Sequence, residues 1–409
     1  MIDIKNMGIG QRLLLALLSL IAIVSLLGGI KNGYRFSQDF QYDAAKALVL
    51  GYDPYELSLV NGGKADIEEL KDFHEYFTGI DAPQKMEANQ FPSLLYILAP
   101  LTLMPYRTAV VVWMILNIIF TFGIVILLRK TFFKETPDFY FALAALLMIA
   151  GTPYRNQLGV GQHTLFSFAA FLLAVYLSDK GKAVWAGLMM AVCYFKYTLT
   201  VPLCLYFVYK RRWKELIVSV IPHLICTGVC AAVLNKSPIY LIIEPLKVSM
   251  ALSGEGSLDV GAISGGGAIS LIITALLFAG MIVLSFLMKP KGDKEFFAFT
   301  VLVSLIITYH RSYDYFVLTA AMPGVYILSD MLAERSDKAG KALEALYWIM
   351  LLYMYFGLRI FHEGKAALAA GGIIYYLFLV LFICAVIFEN LVYYKSRKLS
   401  GNTGKRGEA

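Results

Sequence analysis

Several runs of about 18 or more mostly apolar residues, of which 13–30 and 108–128 are the clearest, constrain this chain more than any other feature. Each is long enough to reach across a hydrocarbon core of roughly 30 Å. Lipid offers the backbone no hydrogen-bond partners, so such runs cross as α-helices. The composition agrees: 59% of the residues are hydrophobic, 16% are charged and the mean hydropathy is +0.66, far from the balance of a soluble globular domain. The expected fold is therefore all-α, a polytopic membrane protein with about 12 transmembrane helices in a single domain, 1–409.

The net charge of +7 does not point to nucleic acid, because the basic residues gather in short clusters beside apolar runs. Arg129/Lys130, Lys210/Arg211/Arg212/Lys214, Lys289/Lys291/Lys294 and Lys395/Arg397/Lys398 form a positive-inside pattern. Placing each cluster in the cytoplasm gives approximate spans at 13–30, 107–128, 138–150, 163–178, 183–195, 197–209, 215–234, 267–288, 296–309, 314–333, 342–359 and 368–393. The inside segments then hold about 22 of the 36 Lys and Arg, although they are much shorter than the outside ones, which places both termini in the cytoplasm of a multi-pass plasma-membrane protein. The first run follows Lys5 and Arg12 as a signal peptide would, but it lacks an Ala-x-Ala cleavage site and reads as a retained span. The five cysteines all lie within apolar runs without partners at metal-ligand spacing, so neither a disulfide framework nor a zinc site is expected.

Residues 31–90 are polar, net acidic and rich in turn formers such as Gly51-Tyr52-Asp53-Pro54. They form the first extracytoplasmic loop, and the proline-punctuated segment that follows reads as interfacial or re-entrant, so the whole excursion covers 31–106. A second outside loop, 235–266, runs into a Gly/Ser-rich tract that has the composition of a flexible linker. The runs at 183–195 and 197–209 are short for crossings, and the sequence leaves open whether they are two spans or one tilted helix.

Candidate chemistry collects on the outside. Asp39 lies about nine residues beyond the first span, at the level of lipid head groups, where a carboxylate can serve as a general base. Asp43 shares its face if the segment is helical; the alternative is that both are solvated loop acids. Lys196, between two short apolar runs, is costly unless paired or functional, or else it snorkels to the interface. Arg155, in a short loop ahead of Gly161-Gln162-His163, is a further cation or an ordinary loop arginine. His310-Arg311, flanked by Tyr309, Tyr313 and Asp314, can hold a phosphate or an acceptor, or form a capped turn. Tyr42, Tyr55 and Tyr154 are candidate sugar platforms among many interfacial aromatics. His74, His223 and His362 are expected to be loop, packing and surface groups.

The stretch Asp39-Phe40-Gln41-Tyr42-Asp43-Ala44-Ala45, then Leu50-Gly51-Tyr52-Asp53-Pro54-Tyr55, resembles glycosyltransferase family 87, the mannosyltransferase-like branch of the polytopic lipid-donor glycosyltransferases of the C-type fold. The likeness continues through Phe91-Pro92, Pro100-Leu101, Trp113, Gly161-Gln162, Ala186-Gly187-Leu188, Lys196 and Arg211-Arg212-Trp213, with a fainter echo from Tyr309-His310 to Pro323. One departure is Tyr197, which stands where the family commonly has proline after its lysine.

The resemblance implies inverting transfer of a mannose-like hexose from a polyprenyl-phosphate sugar to a glycolipid or glycan acceptor, with little or no need for a metal and no cofactor. Asp39 is the implied base. A departing phosphate needs nearby cations and a cavity open to the outer leaflet, so Lys196, Arg155 and His310 are expected to converge there, with Arg311, Gln162, Asp43 and Tyr42 as further candidates for binding substrate. Two other classes remain in view. A transporter or flippase would want charges through the bilayer midplane and an internal repeat of spans; an envelope scaffold would not need outside loops that combine cations with a juxtamembrane aspartate.

Overall fold

The computed structural model describes residues 6–37, 39–63, 67–80, 86–251, 257–290, 292–361 and 364–403, and among them there are helices and loops but no strand. His362 and the last residues of the tail lie outside the described residues. By length and composition alone, eight helical stretches, Ala183–Tyr209 among them, are apolar enough to cross a membrane, or up to nine if a bent pair counts as one. The expectation of about twelve differs because several apolar segments are short helices, and the path of the chain explains them.

Helix α1 (Ile9–Phe36) leads into the first loop, which carries α2 (Tyr42–Val49) and α3 (Lys71–Thr78). The short α4 (Pro92–Thr102) starts at its proline and is followed by the long α5 (Tyr106–Lys130). The segment α6 (Asp138–Ala150) does not end in a loop: the chain bends at Gly151 and Pro153 and continues as α7 (Thr152–Val160). α7 then turns through 107° into α8 (Thr164–Asp179). α7 lies against the C-terminal half of α1, close enough that a Cβ on Gly33 would sit 2.8 Å from the Leu158 carbonyl oxygen.

Next come α9 (Ala183–Cys193) and α10 (Tyr197–Tyr209), joined by a single 3₁₀ turn, Tyr194–Lys196. By length alone Ala183–Tyr209 would be one span. The geometry rules that out, since the Sγ atoms of Cys193 and Cys204 are 3.8 Å apart, whereas a continuous helix would separate these residues by about 16 Å. The chain doubles back at Lys196. Consistent with a hairpin, its two feet lie at the same end of the bundle: Arg212, after α10, pairs with Asp179, just before α9, at 2.7 Å.

The chain continues through α11 (Trp213–Leu234), α12 (Pro238–Ala251), the short α13 (Val260–Ser264), α14 (Gly267–Leu287) and α15 (Asp293–Ile307). The Gly/Ser tract is thus folded into α13 and a turn with positive φ at Gly265, Gly266 and Gly267. A 3₁₀ stretch, Ser312–Ala321, runs directly into α16 (Met322–Ala333), and α17 (Asp337–Leu352) passes through a π-helical turn into α18 (Leu358–Ile360) and then α19 (Lys365–Thr403).

Leu, Ile and Val side chains stand exposed along α11 (Ile217, Leu224, Ile225) and α14 (Ile269, Leu271, Leu276). Such faces are stable only in lipid, and with the long apolar helices they mark a multi-pass membrane protein. The basic loops meet at one end of the bundle, where Arg129 pairs with Asp138 at 2.5 Å and Lys210 with Asp293 at 2.6 Å. At the other end the first loop packs into its own core, in which Phe40, Tyr42, Phe73 and Tyr106 pack ring against ring over α4 and the start of α5. His223 is a packing group that joins three helices, with Nδ1 2.6 Å from the Ser93 hydroxyl and Nε2 3.0 Å from the Ala191 carbonyl oxygen.

Candidate active site

Four interruptions of the helices meet at the end of the bundle opposite the basic loops. The first is the chain leaving α1: the Asp39 amide donates to the Val160 carbonyl at 3.0 Å, which ties the start of the first loop to the end of α7. The second is the corner between α7 and α8. Gly161 has φ +73°, and a Cβ there would fall 2.0 Å from the Ser37 hydroxyl, so both backbone shape and space call for glycine. The corner is pinned further by the Trp113 indole N–H, which donates to the Gly161 carbonyl at 2.8 Å, and by the Gln157 amide, which donates to the Gln162 carbonyl at 2.6 Å.

That corner aims Gln162 with some care. Its Nε2 donates to Asp39 Oδ2 at 3.0 Å, and its Oε1 accepts from Lys196 Nζ at 3.3 Å. One carboxamide thus bridges an acid and a cation that lie far apart in the sequence. Lys196 comes from the third interruption, the apex of the α9–α10 hairpin, and its ammonium also lies 3.4 Å from Asp314 Oδ2. Asp314 belongs to the fourth interruption, 308–314. Its buried carboxylate takes the His310 Nδ1 contact at 2.8 Å and a short hydrogen bond from the Thr164 hydroxyl. His310 Nε2 lies 3.4 Å from the Thr308 hydroxyl, which donates to the Thr198 carbonyl at 3.1 Å and so binds the end of α15 to the start of α10.

A cavity of about 140 Å³ opens over this network, with Asp39, Gln162, Lys196 and Arg311 in its wall. Asp39 keeps part of its surface open to the cavity. Desolvation by the surrounding protein nonetheless raises its carboxyl above the ordinary carboxylate range, against the opposing pull of the Gln162 hydrogen bond and of Lys196 and Arg311. Arg311 is exposed and lies beside the ring of Tyr309, to whose hydroxyl it donates. The arrangement therefore offers one carboxylate suited to taking a proton and two cations for an anionic group. Among the described residues no group of three or more His, Cys, Asp or Glu stands together as a metal cluster.

The other candidates stand elsewhere. His310 is buried behind the cavity wall, where it and Lys196 share Asp314. Arg155 does not join them: it lies on α7, its side chain packed against Gly28 of α1, because the segment read as an outside loop is a helix alongside α1. Tyr42 is part of the first-loop core and donates to the Met104 carbonyl at 2.8 Å, and Tyr154 is buried beside Thr121. Asp43 is buried in the first turn of α2, where it accepts from the Ala44 amide at 2.8 Å. Neither Tyr42 nor Asp43 lines the cavity. The Gly51 to Tyr55 turn is a brace: Asp53 accepts from the Tyr55 amide at 3.0 Å, and the Tyr55 hydroxyl donates to the Gln90 carbonyl at 2.8 Å.

The sequence reading missed Gln41, Glu87, Asn89 and Gln90, all of which line the cavity. The one local signal was the run of polar side chains immediately before Phe91-Pro92. Neither a curated protein nor a solved structure matches the chain. A family model does match, over residues 92–241, from α4 into α12 and including Gly161, Gln162 and Lys196 but not Asp39 or 308–314. This match to glycosyltransferase family 87 supports the assignment of the chain to that family.

Proposed function

We propose that this glycosyltransferase moves a mannose-like hexose from a polyprenyl-phosphate donor to a hydroxyl of a glycolipid or glycan acceptor, with inversion, at the outer face of the plasma membrane. The observation that carries the reading is the bridge from Asp39 through Gln162 to Lys196 in one cavity, at the end of the bundle away from the basic loops. By the positive-inside rule that end faces outward and both termini are cytoplasmic.

In the proposed reaction the acceptor hydroxyl gives its proton to Asp39 as its oxygen attacks the anomeric carbon. The bond from that carbon to the phosphate oxygen breaks, and its electron pair leaves with the lipid phosphate. Lys196 and Arg311 stabilise the charge that develops there, and their effect is strengthened in a site partly shielded from water. Gln162 keeps acid and cation in register without neutralising either. A polyprenyl carrier suits a site at the bilayer surface, since its tail can stay in lipid while its head group enters the cavity.

The reading is tested with purified enzyme in liposomes, polyprenyl-phosphate mannose carrying a radiolabelled sugar, and octyl mannoside as acceptor. Transfer of label to the glycoside is expected. Transfer from nucleotide sugars but from no polyprenyl-phosphate hexose would overturn the donor, and movement of lipid without any transfer of label would favour a flippase.

A further inference from the structure

We propose that Gln41 and Gln90 form a subsite that reads the hydroxyls of a sugar ring; the proposal rests on the glycosyltransferase reading above but not on its choice of base or leaving group. Both side chains line the cavity, and in both the Oε1 atom is buried with no hydrogen-bond partner among the described residues. Gln90 is 5% exposed, so water does little for it. A buried amide oxygen left unpaired is costly, and two beside one cavity point to a ligand that supplies O–H donors. Sugar hydroxyls are such donors. An ionised lipid phosphate offers only acceptors, so it cannot satisfy these oxygens.

The backbone supports the same assignment. Gln41 has φ +61°, a left-handed conformation disfavoured for a residue with a long side chain, and it is one of three non-glycine residues with positive φ among those described. Strain of this kind persists where neighbours impose it. Here Phe40 is locked between Tyr106 and Trp113 on one side of Gln41, and α2 begins on the other, with the Ala45 amide donating to the Gln41 carbonyl at 3.0 Å. Gln90 is held as firmly, by the Tyr55 hydroxyl on its carbonyl and by its own Nε2 donating to Asn89 Oδ1 at 3.1 Å. Both amides are thus presented by rigid pieces of the first loop, close in sequence to Asp39 and to the start of α4.

The test is binding of octyl glucoside, galactoside and mannoside to the full chain in nanodiscs, with an octyl polyethylene glycol ether as the sugar-free control. At least one glycoside is expected to bind tighter than the control, and Gln90→Leu to weaken it roughly three- to tenfold, the loss of one net hydrogen bond. Gln41→Gly should weaken binding similarly while the melting temperature stays the same or rises, because glycine relieves the left-handed backbone. A purely structural glutamine would instead lose stability. Polyprenyl-phosphate mannose that competes with the glycoside, less well in Gln90→Leu, assigns the ring to the donor; simultaneous binding assigns it to the acceptor. The subsite is refuted if no glycoside exceeds the control, or if both variants bind as the wild type does. An error in the base or the leaving group would leave this binding intact and appear only as lost turnover.

Discussion

Replacing Asp39 with asparagine is the sharpest perturbation, because it separates what the residue does for the reaction from what it does for the fold. Asparagine keeps the shape and an oxygen that can accept the 3.0 Å hydrogen bond from Gln162, but it cannot take a proton. Losing a general base typically slows a reaction by a factor of about 10² to 10⁴, which is the expected loss of transfer in Asp39→Asn. Stability should move the other way. Burial raises the Asp39 carboxyl more than Gln162, Lys196 and Arg311 lower it. The folded state therefore holds the proton more tightly than the unfolded chain does. A carboxyl shifted in this direction contributes stability that is present below its unfolded value and lost as pH rises through its folded value. At neutral pH the charge weakens the fold, so Asp39→Asn should melt at the same temperature as wild type or higher. In strong acid both side chains are neutral and the difference should vanish. The same shift places the acid limb of the wild-type pH–rate profile above the ordinary carboxylate range. Asp43→Asn is the control: its carboxylate lies in the first turn of α2, away from the cavity, and asparagine keeps an oxygen that can accept from the Ala44 amide, so turnover should be largely unchanged. Transfer by Asp39→Asn within about threefold of wild type would refute the reasoning, since a reaction with its base intact loses none of that factor.

The remaining predictions probe the frame of the site. Lys196→Met strips a cation from the buried Asp314 and should destabilise the protein by about 3 kcal/mol or more, while Lys196→Met with Asp314→Asn should recover much of that stability and none of the transfer, as read from melting curves beside the labelled-sugar assay. A cysteine at Glu69, exposed in the first loop, should react with an impermeant maleimide added to intact cells, and one at Lys341, exposed near the start of α17, should not; the reverse pattern would invert the proposed orientation. Mild oxidation should join Cys193 and Cys204 across the α9–α10 hairpin, seen as a loss of two hydrogens in the mass and protection of both thiols from alkylation; both staying alkylatable would argue for a continuous helix.

The sequence was most informative where physics leaves few choices. Apolar runs must be helices in lipid, and basic clusters must lie at their ends, so the all-helical bundle and its basic face were legible. Lys196 was legible for the same reason, since a lysine in an apolar setting needs a partner. Its partner was not, because Asp314 is more than a hundred residues away and nothing local couples them. Arg155 was misread as a loop residue because Gly151-Thr152-Pro153 looks like the end of a span, although a proline in the first turn is also how a helix restarts, and α7 does restart there. Tyr42 and Asp43 look like site residues in sequence, but aromatic and acidic side chains also build a small core and occupy the first turn of a helix, and here they do. Gln41 and Gln90 carried no signal that marked them, since glutamine in a polar loop is ordinary until its burial is seen.

The position of the cavity follows from the way the helices fail. A bilayer tolerates irregular backbone only where protein or a water-filled space receives it. This chain interrupts its helices after α1, at the α7–α8 corner, at the α9–α10 apex and between α15 and α16, and all four breaks face one another. Each break then supplies a different kind of side chain: a carboxylate at 39, a carboxamide at 162, an ammonium at 196, and the buried acid and histidine of 308–314. Had any one of these segments run on as a continuous helix, its polar residue would have been carried along the bundle axis and away from the others. The short helices that make the spans hard to count are therefore what brings the polar groups together, and Gly161 is the most exacting of the hinges. An alanine there meets both a positive φ and Ser37, and it would displace Gln162, the only side chain seen to touch both Asp39 and Lys196 among the described residues.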